Sequence, residues 1–559
     1  MMEWTTACLD WERRLVERRS IIPAPIFSDQ AEQALAIFKE LRVVDLPGKP
    51  TFGECAEEWV FDFVRAIFGG YDAEAGKQLI REYGLLISKK NTKSTIAAGI
   101  MLTALILCWR EEEEHLILAP TKEVADNSFK PAAGMIRADE ELTALFQIQD
   151  HIRTITHRVT RNTLKVVAAD TDTVSGKKSG KVLVDELWLF GKRVNAEAMF
   201  MEALGGQVSR DEGWVIYLTT QSDDPPAGVF KEKLGYWRDV RDGKIEDRKT
   251  LGILYEFPES MLKAKGYLKP ENFYITNPNM GRSVSAEWLV DQLKKNQTKT
   301  DGTFQQFLAK HLNVEIGLNL RTDRWAGADF WLRQGEDGLT LDILLARCDV
   351  AVVGIDGGGL DDLLGLAVIG RDRETRKWLL WTHAWAHEIA LERRKEIAPA
   401  LRDFQADGDL TIVEQPGQDV TEVADIICRV RDSGLLPAEK SIGVDAAGIG
   451  DIVDELTAPG RDFTMEQIIG ISQGWRLGSA IKTAERKLAG KELVHGGQRL
   501  MAWCVGNARV EPKGNAILIT KQISGSAKID PVMAAFNAVS LMSLNPAGEV
   551  TPEIFVLDL

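Results

Sequence analysis

Two series of strand-length apolar runs, each ending in carboxylates, predict an α/β chain of at least two domains. The first observation is Val182-Leu183-Val184-Asp185-Glu186, an apolar run closed by two adjacent acids. The second is Ala351 to Ile355 followed by Asp356, a run that turns through Gly357-Gly358-Gly359 and returns as Leu363 to Ile369. The third is length: 559 residues exceed what one hydrophobic core supports and fit two or three domains.

Composition narrows the class. With 45% hydrophobic and 27% charged residues, disordered and fibrous classes are excluded. A net charge of −15 argues against indiscriminate coating of nucleic acid, although a local basic channel is compatible with it. The six cysteines (Cys8, Cys55, Cys108, Cys348, Cys428, Cys504) form no C-x-x-C pair and are expected to be reduced thiols of a cytosolic chain. Met1-Met2-Glu3-Trp4 does not open a signal peptide, so no export is expected. The longest apolar run, Ala97 to Trp109, stops at Glu111-Glu112-Glu113-Glu114 and is too short for a bilayer; it reads as a buried helix, and no membrane partner is expected.

In chain order, residues 1–50 form a lead-in with a helix over Asp29 to Leu41, ending at Pro47-Gly48-Lys49-Pro50. A helix over Glu57 to Phe68 stops at Gly69-Gly70. Tyr83 to Ile87 then leads through Ser88-Lys89-Lys90-Asn91-Thr92-Lys93-Ser94-Thr95 into the apolar helix. Strand, polar loop and helix N-terminus are the parts of a phosphate cradle, with Lys93 reaching the β and γ phosphates and the Ser94 hydroxyl binding Mg²⁺. Ile87 and Thr92 stand where the G-x-x-x-x-G-K-[ST] pattern has glycines, and taken alone the stretch also reads as a basic turn capping a helix.

Further strands are expected over His115 to Ala119, Leu164 to Ala169, Val182 to Val184 and Trp214 to Leu218, the last ending in Thr219-Thr220-Gln221-Ser222. Their alternation with helices predicts a mostly parallel sheet. Chemistry gathers at the carboxyl ends of such strands, where Lys93, Asp185, Glu186 and Thr219 all fall. With Asp185 for Mg²⁺ and Glu186 to polarise water, the first domain reads as a P-loop NTPase over residues 51–325. Within it, about 250–320 are expected to form a helical lid, and a linker is expected over 326–348.

Residues 349–559 carry their own acids. A hairpin with Asp356 on its first strand is how an RNase H-like α/β fold begins. A second strand, Ser441 to Val444, ends at Asp445 before Ala446-Ala447-Gly448, and Asp530 opens an apolar helix running to Leu544. Two strand-end acids and one helix-start acid can converge on two divalent ions, which activate water and stabilise the leaving oxygen of a phosphodiester. Each acid singly also reads as a cap or turn residue. Asp361, Asp362, Asp451 and Asp454 are second-choice ligands. Trp475-Arg476, Lys482, Arg486, Lys487 and Lys491, with a hairpin around Glu511-Pro512-Lys513-Gly514-Asn515, offer positive charge to a DNA backbone or form a solvated face. His383 and His387-Glu388 lack the H-E-x-x-H order and read as structural.

Together these residues resemble the large terminase subunit of tailed bacteriophages, the motor that packages DNA. The resemblance rests on Lys89-Lys90-Asn91-Thr92-Lys93-Ser94, similar to that family's K-N-G-K-S loop, and on Ala168-Ala169-Asp170 with Gly176 ahead of Val184-Asp185-Glu186-Leu187-Trp188. It continues through Leu218-Thr219-Thr220, Asn277-Pro278-Asn279 with Ser283-Val284-Ser285, and His311-Leu312-Asn313, covering roughly residues 55 to 325. It implies ATP binding by Lys89 to Thr95, with catalysis by Lys93 and Glu186. Asp185 and Ser94 would bind Mg²⁺, and Thr219-Thr220 would be a coupling motif that senses the γ-phosphate. Asp356, Asp445 and Asp530 would be nuclease acids holding two Mg²⁺ or Mn²⁺ ions.

The family's W-Q context for adenine is Trp59-Val60 here. Lys89 and Lys90 stand where an arginine is usual, so transition-state charge would come from them or from a neighbouring subunit, with Arg137, Arg153 and Arg158 as candidates. Implied partners are double-stranded DNA, a portal protein, a small terminase subunit, a procapsid, and further copies of the chain in a pentameric ring. The implied place is the host cytoplasm at the procapsid portal, outside the finished virion. A helicase-nuclease or repair ATPase with the same two folds is one alternative, and a capsid-associated scaffold that binds nucleotide without turnover is another.

Overall fold

The computed structural model describes residues 4–168, 179–193, 195–297, 303–316, 325–445, 450–513, 516–520 and 528–548. The chain divides into two compact units, Met1–Ile316 and Gly317–Leu559.

The first unit is built on an eight-stranded sheet. Its strands are β1 (Glu82–Leu86), β2 (Glu114–Ala119), β3 (Phe146–Gln149), β4 (Thr154–His157), β5 (Thr163–Ala168), β6 (Ser179–Val184), β7 (Trp214–Thr219) and β8 (Thr250–Leu254). In space the order is β8-β1-β7-β6-β2-β5-β4-β3. The six strands from β8 to β5 are mutually parallel, and β4 and β3 finish the edge as an antiparallel meander. The middle strands are covered on both faces, which is why β7 is buried along its whole length and carries an unbroken apolar run.

Helices α1 (Ser28–Glu40), α2 (Glu58–Phe68), α3 (Lys93–Ile106), α4 (Lys122–Arg137), α5 (Gly228–Arg241), α6 (Ala286–Gln297) and α7 (Thr303–Leu312) accompany this sheet. α3 is apolar nearly all round because it is buried on nearly every side. A Cβ on its Gly99 would stand 2.7 Å from the Phe38 ring, so this glycine lets α1 dock closely, and the lead-in is part of the unit. Residues 250–254, read from sequence as the start of a helical lid, form the edge strand β8 instead. Gly84 of β1 and Gly252 of β8 make room for Trp237 of α5, whose atoms lie 2.4 and 2.7 Å from where their Cβ atoms would be. That packing, not periodicity, selects the strand. Among the described residues no helix is long and apolar enough to cross a membrane.

The second unit holds β9 (Cys348–Gly357), β10 (Leu363–Asp372), β11 (Trp378–His387), β12 (Leu410–Val413), β13 (Ile442–Asp445), β14 (Ile468–Ile471) and β15 (Leu493–His495). Their order is β12-β11-β10-β9-β13-β14, with β15 also paired to β11. β9, β10 and β11 are antiparallel, while β13 runs parallel to β9. Alternation along β9 feeds two cores. Val350 and Val352 join α10 (Gly478–Ala489) and α11 (Asp530–Met542) on one face, and Ala351, Val353 and Ile355 join α8 (Leu341–Arg347) and α9 (Gln418–Asp432) on the other.

The stretch expected as a linker over 326–348 is built into this unit. Trp325 and Trp331 are buried in the core of α11, and α8 covers the opposite core. The expected hairpin is present, Arg509–Lys513 pairing antiparallel with Ala516–Thr520.

Candidate active sites

β1 delivers the chain into the loop before α3, and two asparagines hold that loop from behind. Asn91 Nδ2 donates to Ser88 O at 3.0 Å and to Asn277 Oδ1 at 2.9 Å. Asn279 donates from its backbone N to Asn91 Oδ1, and from Nδ2 to Asn91 O and Thr92 Oγ1, each at 3.0 Å. Thr92 has φ +58, the left-handed region that costs a residue with a Cβ about 1–2 kcal/mol. Its hydroxyl offsets part of that by donating to Asn91 O at 2.7 Å. Ser283 Oγ donates to Lys90 O, and Trp59 Nε1 of α2 donates to Asn279 Oδ1, both at 2.7 Å. Trp59 is therefore engaged in bracing the loop, and Val60 is buried. Lys89 is half-buried, Lys90 exposed, and Ser94 and Thr95 half-buried in the first turn of α3.

β6 brings in the acids from beyond β7. Asp185 is fully buried; its Oδ2 accepts from Ser94 Oγ and Ser128 Oγ, and its Oδ1 from Glu186 N, all at 3.0 Å. Lys93 Nζ donates to Glu186 Oε1 at 2.7 Å, and Trp188 Nε1 donates to Glu186 Oε2 at 2.5 Å. Burial pushes the Asp185 pKa up, against the Lys93 charge and with the Glu186 charge. Burial also opposes ionisation of Glu186, but the Lys93 charge and the bonds from Lys93 and Trp188 outweigh it and hold its pKa below the ordinary value. A buried carboxylate oxygen shared with the loop serine hydroxyl is the hard oxygen donor set that suits Mg²⁺.

Thr219 and Thr220 are fully buried at the end of β7, between β1 and β6. Thr219 Oγ1 accepts from Trp188 N at 3.2 Å and donates to Thr220 O at 2.8 Å, and Thr220 Oγ1 donates to Gln221 O at 3.2 Å. Of the three arginines, Arg137 pairs with Asp150 and Arg153 with Asp126, while Arg158 is exposed. Arg153 O accepts from Val166 N near the carboxyl end of β5, whereas Arg158 N bonds Leu145 O at the far end of the meander. Arg153 therefore lies toward the same ends of the strands as Lys93 and Glu186.

In the second unit, the parallel register Ile355↔Val444 sets the next residues, Asp356 and Asp445, side by side at the strand ends. Glycines bring the third acid. A Cβ on Gly354 would stand 2.0 Å from Ala534 O, and one on Gly365 2.7 Å from Pro531 N, so α11 lies directly on β9 and β10. Its first residue, Asp530, is buried against Gly357, whose Cβ position is 3.2 Å from Asp530 Oδ1. Carboxylate oxygens of this kind are hard donors that suit Mg²⁺ or Mn²⁺.

The second-choice acids are otherwise engaged. Arg394 donates to both oxygens of Asp361 at 3.1 Å, and buried Lys528 reaches Asp362 Oδ1 at 2.6 Å. Asp451 and Asp454 are exposed on the helix Gly450–Thr457. His383 bonds Thr411 Oγ1 at 2.9 Å and His387 bonds Asp419 Oδ2 at 3.2 Å, so the two imidazoles serve different elements of the fold. Cys108, Glu113 and His115 also cluster in the first unit, but Lys181 and Arg210 stand 4.0 and 3.9 Å from Glu113 and already match its charge. Ala169, Asp170 and Gly176 of the expected motif, Ala446-Ala447-Gly448, and Gly514-Asn515 of the hairpin lie outside the described residues.

Sequence reasoning gave no role to Ser128, Trp188, Asn277, Asn279 or Lys310. Asn277-Pro278-Asn279 and Trp188, the latter at the end of Val184-Asp185-Glu186-Leu187-Trp188, carried a visible signal as parts of motifs without an assigned task.

Two family models match the chain: "Terminase large subunit, ATPase domain" over residues 59–239, and "Terminase large subunit, endonuclease domain" over residues 255–545. The second alone spans more than half of the 559 residues. The chain belongs to the terminase large subunit family. This terminase large subunit is thus an ATPase and an endonuclease that serves phage DNA packaging and cleavage in the host cell, using nucleotide and divalent metal. The helicase-nuclease and scaffold alternatives are set aside. The endonuclease match begins inside the first compact unit, so the family boundary and the compact boundary at Ile316 differ.

No curated protein matches the chain. Among solved structures it is similar to the HK97 bacteriophage large terminase, at 19% identity and TM-score 0.46, over 91% of this chain and 99% of that one. It is similar to the large terminase of a thermophilic bacteriophage in complex with ADP, at 12% identity and TM-score 0.31, over 92% and 98%. It is also similar to the large terminase nuclease of thermophilic phage G20c with bound magnesium, at 14% identity and TM-score 0.25, over 39% and 95%. Membership in the family follows from the family models, not from these likenesses.

Proposed function

We propose that this terminase large subunit hydrolyses ATP with Lys93, Ser94, Asp185 and Glu186, and cuts DNA with Asp356, Asp445 and Asp530. The observation that best supports the first assignment is the Lys93–Glu186 ion pair, 2.7 Å long, which joins two distant segments at the carboxyl ends of the sheet. Lys93 would turn from Glu186 to the β and γ phosphates, whose oxygens compete for its ammonium. Glu186, with Oε2 still held by Trp188, then has Oε1 open to take the proton of the attacking water. The backbone N–H groups of Lys90 to Thr95 and the N-terminus of α3 cradle the phosphates, with Lys89 opening the loop and its own N–H held by Lys310 O. Ser94 and Asp185 would hold Mg²⁺, which would supply neutralisation of the phosphate charge. Charge on the transferring phosphoryl group is met by Lys89 and Lys90, or by Arg153 of a neighbouring subunit. Thr219 and Thr220 link the γ-phosphate position to the strands on either side.

In the second unit Asp356, Asp445 and Asp530 would hold two Mg²⁺ or Mn²⁺ ions, which supply water activation and leaving-group stabilisation. The same reading assigns double-stranded DNA, a portal protein, a small terminase subunit and a procapsid as partners, with five copies of the chain in a ring. Its place is the host cytoplasm, at the procapsid portal.

Glu186→Gln is expected to lower ATP turnover by about 10²–10⁴-fold while ATP still binds. Asp356→Ala is expected to abolish metal-dependent plasmid cleavage and spare ATP hydrolysis. Turnover by the first variant at the parent rate would remove Glu186 as the base, and plasmid cutting by the second would move the nuclease site elsewhere.

A further inference from the structure

We propose that Lys310, on the lid helix α7, is a positioning residue for ATP hydrolysis that acts on Glu186 through the Trp188 indole. The proposal rests on the reading of Glu186 as the base. Lys310 is buried, with Nζ 2.9 Å from the centroid of the Trp188 ring and 2.8 Å from Gln221 O, to which it donates. That ring is the one whose Nε1 holds Glu186 Oε2. The backbone N of Trp188 and the carbonyl of Gln221 flank the Thr219-Thr220 pair, so one ammonium meets the side chain of the residue at one end of this bonded path and the carbonyl at the other.

A buried ammonium whose described partners are one carbonyl and a ring face is a costly way to fill space, and Met or Leu would pack there with less desolvation. What the charge adds is direction. Attraction between a cation and the indole face fixes the plane of the ring, and the plane fixes where Nε1–H points. Glu186 Oε2 follows that N–H, and a base displaced by about 1 Å loses much of its effect.

The same helix is tied to the phosphate loop, because Lys89 N donates to Lys310 O at 2.7 Å. A lid helix that leaves the loop therefore also releases the ring that aims the base. Burial pushes the Lys310 pKa down to about 7, with Asp223 and Glu186 working against it and Lys89 and Lys192 with it, so the charge responds to the acids of the site.

The test uses the full-length chain, steady-state ATP hydrolysis, and binding of a fluorescent methylanthraniloyl-ATP. Lys310→Met is expected to lower kcat about tenfold or more, with KM and nucleotide affinity within about threefold of the parent. Lys310→Arg, whose guanidinium also stacks on indole, is expected to recover most of the loss. Trp188→Phe keeps a ring but no N–H and is expected to lower kcat to a similar degree. The double variant should be no worse than the worse single one, because both act on one path.

Parent-like kcat in Lys310→Met, a loss confined to KM, or multiplying losses in the double variant would each overturn the proposal. If Lys310→Met does not fold, Trp188→Phe decides, and parent-like kcat there is equally fatal. Glu186→Gln in the same assay separates the two readings. If it turns over ATP the base assignment fails; if it is inactive while Lys310→Met is normal, only the role of Lys310 fails.

Discussion

Thr92 shows how a single residue can occupy a glycine's place. Its left-handed backbone is held by Asn279, which bonds Thr92 Oγ1 and Asn91 O while its own Oδ1 is fixed by Trp59. Asn279→Ala removes all three side-chain bonds, each worth about 0.5–1.5 kcal/mol. It should therefore lower the urea midpoint and raise KM for ATP. Adding Thr92→Gly should recover part of both losses, because glycine needs no support at that φ. Denaturation curves and KM values of the two variants check this, and a double variant worse than Asn279→Ala alone would mean the threonine was not strained.

His495 makes a different residue-level argument. It is buried, stacked on Trp331 at 3.9 Å, with Nδ1 accepting from Gly497 N and Nε2 facing Trp331 O at 2.8 Å. The ring is thus neutral, with its proton on Nε2. Burial pulls its pKa from 6.5 down to about 4, against the Trp331 carbonyl. Below pH 6.5 the unfolded chain binds a proton that the folded chain refuses, so stability falls as pH drops from 6.5 toward 4 and is flat above 6.5 with respect to this group. At about 1.4 kcal/mol per unit the loss at pH 5 is about 2 kcal/mol. His495→Phe should flatten that part of the slope, measured as the difference in unfolding midpoint between pH 7 and pH 5.

At the scale of elements, α11 is set by the glycines beneath it. Gly354→Ala would place a methyl 2.0 Å from Ala534 O and 2.5 Å from Ala538 N, both backbone atoms of a helix that cannot give locally. The helix must lift, at about 1–3 kcal/mol, and Asp530 at its start leaves Gly357 and Asp356. Plasmid cleavage should then fall far more than the folded fraction does, while ATP hydrolysis continues. Cleavage that simply tracks the folded fraction would show that α11 does not aim the acid.

The elements that sequence predicted best were central ones. β7 carries an unbroken apolar run and β6 ends in one, Val182-Leu183-Val184, because both faces are covered there, and their threonines and acids stand out where the run ends. The edge was harder to read. Phe146-Gln147-Ile148-Gln149 and Thr154-Ile155-Thr156-His157 are four residues each, too short to declare a period, and β8 depends on Trp237 packing over Gly252. The start of the second unit was hard to read for a related reason, since Trp325 and Trp331 gain meaning only when the core of α11 is in place. Asn279 and Lys310 act on partners more than 80 positions away, a distance at which local pattern says nothing.

For the whole molecule, the question is how a chain of net charge −15 holds a polyanion. The net charge opposes attraction at long range, so binding draws on positive charge presented locally. On α10, Lys482 and Arg486 are exposed four residues apart on one face, bordering a surface cavity with Ser479, Thr483, Glu485 and Val510, where two cations face one acid. Arg476 and the exposed Trp475 precede the helix, and α10 packs on α11, the helix that carries Asp530. Lys487 differs, being paired with Glu492 at 2.9 Å and seated over Trp378.

Each phosphate contact releases counterions and adds about 0.9 to the slope of log affinity against log salt. In an Asp356→Ala background, expected not to cut, Lys482→Ala with Arg486→Ala should weaken duplex DNA binding equally for unrelated sequences and reduce that slope by about 2. Lys487→Ala should leave the slope unchanged, because its charge is already spent on Glu492. An unchanged slope in the double variant would mean that DNA reaches the aspartates along another face of this unit.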